Sequence, residues 1–202
     1  MLPIVAYVVG AVALSIWIFL LHILWKADLK FWRYVIGAAG FFIFMMVFLM
    51  PVLTEVLSQI VALISSIPGK VTGAYSAYYR YGTIMIASVS GTITLKIDFE
   101  CSGVIEILAF LALLIFYQVY TVWERVWVGI LGVLYIVICN SLRITIICFM
   151  ISYGGVGMFH LAHTYVGRIV FYSLSILLYF YVFTRPQIIK QKVGAFKYDA
   201  DK

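Results

Sequence analysis

The sequence predicts an all-α polytopic membrane protein: about five transmembrane helices plus an interfacial or kinked helix, with a small β-hairpin on the outer face. Three observations carry that prediction. Of 202 residues, 65% are hydrophobic and only 11% are charged, against about a quarter charged in an average soluble domain. Uncharged runs of about 20 residues recur along the chain, the length that crosses a hydrocarbon core. Lysine and arginine collect in alternate connections between those runs, as they do on cytoplasmic flanks.

Each span follows from where charge is sparse. Residues 3–24 make span one and 32–50 span two, which ends at Pro51. Residues 103–122, 126–149 and 164–184 make spans three, four and five. The stretch 52–67 is shorter and carries Glu55, Ser58 and Gln59. It reads as a continuation beyond a proline kink or as an interfacial helix. Counting residues 1–184 as one membrane domain leaves 185–202 as a short basic tail.

Orientation comes from the basic residues. Lys26 and Lys30 lie between spans one and two with Arg33 at the start of span two, Arg125 lies between three and four, and Arg185, Lys190, Lys192, Lys197 and Lys202 follow span five. The opposite side holds Lys70, Arg80 and Lys96. The larger group marks the cytoplasmic face, so a multi-pass cell-membrane protein with its N-terminus outside and C-terminus inside is expected. Residues 1–25 hold no Lys or Arg, so the first apolar run reads as a span and not as a cleavable leader.

The outer segment holds one strand signal. Ile93, Leu95, Ile97 and Phe99 alternate with Thr92, Thr94, Lys96 and Asp98, the period of a half-buried strand. Residues 83–88 are its expected partner, and Ser90-Gly91 the turn between them. A hairpin over 83–99 then stands just before Cys101.

Composition excludes several functions. The net charge of +6 is explained by cytoplasmic flanks, and no basic patch interleaved with aromatics offers a nucleic-acid face. Three cysteines without CxxC spacing give neither a disulfide framework nor a redox pair. Cys139 and Cys148 sit in an apolar run and read as small core residues. No metal-ligand spacing such as HExxH occurs, so neither metal nor cofactor is expected.

Ionisable groups inside spans are costly and therefore informative. Glu106, Arg143, His163 and Arg168 qualify. Counting ~1.5 Å per residue from Trp127 puts Arg143 ~24 Å up a ~30 Å core. Asn140 lies three residues earlier on the same helical face. Arg143 pairing with Glu106 to lock two helices competes with a functional role. Cys101 opens span three, where free backbone N–H groups favour an anion and would lower a thiol pKa. Glu100 beside it acts in the opposite direction. His160 and His163 lead into span five, and a histidine near Cys101 can exchange protons with a thiol. Cys101, Arg143 and His163 belong to three different spans yet map to one depth, which favours a common site.

Three motifs over residues 80–172 resemble the exosortase/archaeosortase family of membrane cysteine transpeptidases. Cys101-Ser102-Gly103 after an alternating strand looks like the nucleophile motif. Asn140-Ser141-Leu142-Arg143-Ile144 looks like the Asn-x-x-Arg-Ile motif. His163, Gly167 and Phe171 look like the third motif, one stripe at every fourth residue. The chain is similar to the short, single-domain members found in Gram-positive bacteria. The resemblance implies Cys101 as nucleophile, His163 as general acid and base, and Arg143 as stabiliser of the oxyanion or thiolate. It implies secreted substrate proteins with a C-terminal sorting signal, cleaved on the outer face and passed to a surface acceptor. Asn140, Ser102, Gly103, Gly167 and Glu106 would support the site, although a neutral residue is expected at 106. Membrane lipid is the remaining partner, and nucleic acid is not one. The rival from another class is a non-catalytic membrane subunit of a transport or envelope-assembly complex, in which replacing Cys101 is harmless.

Overall fold

The computed structural model describes residues 2–88 and 91–189, with side chains from Gly10 onward. The first two spans form an antiparallel pair, α1 (Leu2–Lys26) and α2 (Lys30–Phe48). Trp17 Nε1 donates to Ile36 O at 2.9 Å and ties them together. Leu49 breaks the register, and α3 (Met50–Thr72) begins with Pro51 in its first turn. Proline has no N–H for the preceding turn and crowds its carbonyl. The chain therefore changes direction here without leaving the helical conformation.

Three strands follow: β1 (Tyr75–Tyr78), β2 (Thr83–Ser88) and β3 (Gly91–Lys96). They form an antiparallel sheet in the order β1-β2-β3. The expected hairpin is thus part of a three-stranded sheet, and its register pairs Ser88 with Gly91. Gly91 belongs to the strand and not to the turn, whereas Ser90 lies outside the described residues. The alternation holds where it matters: Leu95 and Ile97 are buried. It ends sooner than expected, because Phe99 has left the strand and is 40% exposed.

After the sheet come α4 (Phe99–Ser102), α5 (Val104–Phe116) and α6 (Val122–Gly154). The last helical run contains a π-helical segment Leu161–Val166, α7 (Gly167–Tyr179) and a second π-helical segment Phe180–Thr184. Among the described residues, four stretches are long and apolar enough to cross a membrane: Lys30–Phe48, Met50–Thr72, Val122–Gly154 and Val156–Ile189. Span three is shorter than expected. Its helix has 13 residues, about 20 Å at 1.5 Å each. Gly103 bounds it at one end and the extended backbone of Tyr117 at the other. The next helix starts with a capping box between Thr121 and Glu124, which satisfies N–H groups that would otherwise lack partners. The last helix runs five residues beyond the expected boundary at 184, and the rest of the predicted tail, 190–202, lies outside the described residues.

Side-chain contacts place α3. Although it has a span's length and composition, Val61 and Ala62 pack in one buried cluster with Tyr75, Ile84 and Ile86 of the sheet. Ser65 Oγ donates to Ser141 O at 3.2 Å, and Ser152 Oγ donates to Ala74 O at 3.2 Å. The chain from α3 into β1 thus advances along α6 toward its sheet-bearing end. α3 lies beside the sheet, and by length and composition it is itself a candidate span, longer than the kinked or interfacial stretch expected over 52–67. The 33 residues of α6 span about 50 Å, more than a bilayer core needs. Its last turns supply the surface on which the sheet rests.

A second buried cluster, with Leu108, Phe110, Leu114, Ile136 and Phe171 at its centre, joins α5, α6 and α7. At the end away from the sheet, Tyr117 Oη donates to Phe183 O and Tyr120 Oη to Val182 O, both at 2.6 Å. These bonds bring the α5–α6 connection and the end of the last helix to one side. Cys139 and Cys148 are buried free thiols, in agreement with their reading as core residues.

Candidate active site

Local sequence builds the cysteine corner. Asp98 is extended, and its Oδ1 accepts from Glu100 N and Cys101 N, each at 3.1 Å. An aspartate in this position caps the amides that a short helix leaves open. Gly103 then adopts φ +78° and ends α4, a conformation open to glycine at little cost. Cys101 therefore sits in a separate four-residue turn and not on the first turn of span three.

Three elements converge on that turn. From α6, Asn140 Nδ2 donates to Cys101 O at 2.6 Å. One helical turn further on, Arg143 Nη1 donates to Glu100 O at 3.3 Å. The guanidinium also lies 5.6 Å from the centre of the Phe171 ring on α7, within cation–π range. From the π-helical segment, His163 brings Nε2 to 3.7 Å and Nδ1 to 3.9 Å from Cys101 Sγ. π-Helical insertions often occur at functional sites, because they re-aim side chains along a helix. Phe159 stacks on the His163 ring at 5.6 Å and 5° between planes.

Supporting residues act through close packing. Ser102 is fully buried, donates to Phe99 O at 3.2 Å and accepts from Val104 N at 3.4 Å. A Cβ on Gly167 would come within 2.8 Å of Ile147 Cδ1 and 3.0 Å of Ala162 O. Its absence lets the histidine-bearing helix approach α6. Asn140, Cys101 and Arg143 are all buried, at 0%, 2% and 3% exposure. Asn140 Oδ1 and Arg143 Nε have no hydrogen-bond partner among the described residues. Buried polar atoms without partners are uncommon, and a bound group is one way to satisfy them.

Electrostatics corrects one expectation. The Cys101 thiol is not lowered but pushed up to about 11. Burial is the main cause; the Arg143 cation opposes it, and Asp98 and Glu100 add to it. The helix-terminus argument fails because the Asp98 carboxylate already occupies the Cys101 amide. Glu106 takes no part in the ion pair that seemed available to it. Among the described residues, Arg143 makes no carboxylate ion pair, and its bond runs to the Glu100 carbonyl instead.

The structure brings together Cys101, Arg143, His163, Asn140, Ser102, Gly103 and Gly167, while Glu106 lies within reach of the Arg143 charge without forming an ion pair with it. His160 faces away, its ring 5.8 Å from Tyr165. Three contributors were not legible as such. Asp98 as the cap has a local signal, an Asx residue three positions before the cysteine. Arg168, whose Nη2 is 3.6 Å from Glu100 Oε2, stood out as an ionisable residue within a span, but its partner lies on another element; Phe159 has no local signal.

A buried thiol on a short turn, with an imidazole in contact with it and an adjacent guanidinium carried on apolar helices of membrane-spanning length, defines a candidate cysteine-nucleophile site of an integral membrane protein. The comparison with known families gives the more particular assignment. The transmembrane exosortase family (Exosortase_EpsH) matches residues 1–181, and the chain belongs to it. Membership makes it, in general terms, a membrane-embedded protease or transpeptidase of protein sorting. No curated protein and no solved structure matches it significantly.

Proposed function

We propose that this chain is a cysteine transpeptidase that cleaves a C-terminal sorting signal of secreted proteins on the outer face of the cell membrane. The single observation that carries the reading is the 3.7 Å approach of His163 Nε2 to Cys101 Sγ, beside the buried Arg143. Cys101 Sγ attacks the scissile carbonyl carbon while its proton passes to His163. The carbonyl oxygen takes up the negative charge, and the Arg143 guanidinium balances it. A buried cation acts strongly because little water screens it. Collapse breaks the C–N bond, and His163 returns the proton to the departing amine. The resulting thioester goes to an acceptor nucleophile or to water, with His163 again taking the proton.

A thiol pushed up to about 11 fits this order of events. The resting site holds a neutral thiol, and proton transfer accompanies attack. Arg143 is then fully used only when the oxyanion forms, which is where binding energy raises rate.

The membrane orientation belongs to the same proposal. Lys26, Lys30, Arg33, Arg125 and Arg185 flank the helix ends away from the sheet. On the positive-inside rule that end is cytoplasmic and Cys101 faces outward. The test uses a membrane-impermeant thiol reagent on intact cells, with Cys101→Ala, Arg143→Ala and His163→Ala beside wild type. Labelling that needs Cys101 and slows without Arg143 or His163 supports the site and the orientation. Labelling seen only after permeabilisation overturns the orientation and the outer-face peptidase with it.

A further inference from the structure

β3 is an edge strand. Its register with β2 and the bond from Ile97 N to Gly82 O at 2.8 Å fix which backbone groups face inward. In an antiparallel pair, alternate residues turn both N–H and C=O toward the partner. Ile97, Leu95 and Ile93 are turned toward β2, so Thr92, Thr94 and Lys96 turn theirs away from it. Those three residues are exposed, and no described strand pairs with them. A row of unpaired edge groups is a template for another strand.

The edge opens on a cleft of about 540 Å³, within the usual size of ligand sites. β3 residues 93–96 form one wall, and Val156, Gly157, Phe159 and His160 form the other. Both walls lead to the thiol. β3 runs through Ile97 into the Asp98 cap and Cys101. Phe159 on the facing wall stacks on His163. The cleft therefore adjoins the candidate catalytic pair through Phe159 and the Asp98 turn, without being lined by either member of it.

We propose that an extended peptide, the stretch of a substrate protein around its scissile bond, binds by adding a fourth strand to β3. This rests on the peptidase reading and specifies its substrate mode. The free N–H and C=O groups of Thr94 and Lys96 hold the peptide backbone, as in other cases of strand addition. The wall of Phe159 and His160 meets its side chains. Backbone pairing tolerates many sequences, so selectivity falls to the few side chains facing that wall.

The test uses the full-length purified protein and two thiol reagents read at Cys101 by mass spectrometry. One is a pooled library of acetylated tetrapeptidyl acyloxymethyl ketones, which must seat a peptide to react. The other is iodoacetamide, which needs no cleft. Thr94→Pro deletes an outward-facing N–H at an edge position, where proline is tolerated, and Thr94→Ala is the control that keeps it. Strand addition predicts that Thr94→Pro slows ketone labelling about tenfold, the worth of one or two hydrogen bonds. Iodoacetamide labelling stays unchanged, and Thr94→Ala, which keeps the N–H, is labelled by the ketones faster than Thr94→Pro. On the wild-type protein, N-methylation of the peptides slows labelling at alternate positions only. If Thr94→Pro slows both reagents, this methylation pattern decides. Ketones that label Cys101 with no alternate pattern overturn strand addition and leave the peptidase standing. Iodoacetamide labelling with no ketone labelling at all overturns both.

Discussion

Asn140 on α6 donates its Nδ2 hydrogen to the carbonyl oxygen of Cys101 at 2.6 Å. This bond fastens the cysteine turn to the helix that also carries Arg143. Both groups are buried, so neither finds water when the other is removed. Asn140→Ala leaves a buried carbonyl unpaired and costs about 1–3 kcal/mol. Asn140→Asp keeps the shape but offers no donor in its ionised form. We expect both variants to lower the melting temperature and to slow Cys101 labelling. Wild-type melting together with wild-type labelling in Asn140→Ala would show that the turn holds itself.

The thiol's titration gives a second prediction. Cys101 ionises at about 11 where a free cysteine ionises near 9. Below the ordinary value both folded and unfolded chains keep the proton, and the site contributes its full stability. As pH rises above it the unfolded chain ionises first, so stability falls until the folded thiol ionises in turn. Alkylation of Cys101 should therefore climb steeply above pH 9 instead of levelling there. Arg143→Ala removes the one cation that opposes the shift and slows alkylation at each pH below the new pKa. Asp98→Asn removes a nearby negative charge while keeping a capping oxygen, and speeds it. A rate–pH curve that levels near pH 9 in wild type would count against the buried-thiol picture.

Glu100 and Arg168 form a second, more exposed layer. Their charged groups lie 3.6 Å apart with about half of each side chain open to solvent. Pairs of this kind contribute little stability and are screened by salt. Their effect is on the thiol: Glu100 raises its pKa, and Arg168 partly offsets that charge. Arg168→Gln should slow Cys101 alkylation at low ionic strength and leave it near wild type in high salt. The double variant Glu100→Gln/Arg168→Gln should restore the rate. Equal slowing at both ionic strengths would point to lost packing instead.

The sequence was most legible where cost is local. A lone Arg in an apolar helix, a strict alternation over eight residues and a Gly after Cys-Ser each state a physical constraint in one short segment. Cys101, Arg143 and His163 converged as expected because their spans alternate in direction and carry them to one level. What stayed hidden depended on pairs of elements. Tyr75–Tyr78 is too short to show alternation and becomes a strand only through its register with β2. The thiol's shift depends on how deeply three helices bury it. Span three fell short because the break at Tyr117 is set by its contacts with the last helix.

The choice between two histidines makes the last prediction. His160 and His163 are three residues apart, and an imidazole is a common proton carrier in catalysis. The π-helical segment from Leu161 to Val166 aims only the second at the thiol. His160 lies on the wall of the neighbouring cleft. His163→Ala should lower sorting-signal cleavage by roughly 10²–10⁴-fold, the usual range for a general acid–base. His160→Ala should leave the rate of the chemical step near wild type and change how strongly peptides bind. Phe159→Ala should fall between them, since it releases the His163 ring without removing it. The measurement is single-turnover acylation of Cys101 against peptide concentration, which separates the limiting rate from half-saturation. A limiting rate that drops equally in His160→Ala and His163→Ala would mean that the resting geometry does not select the proton carrier.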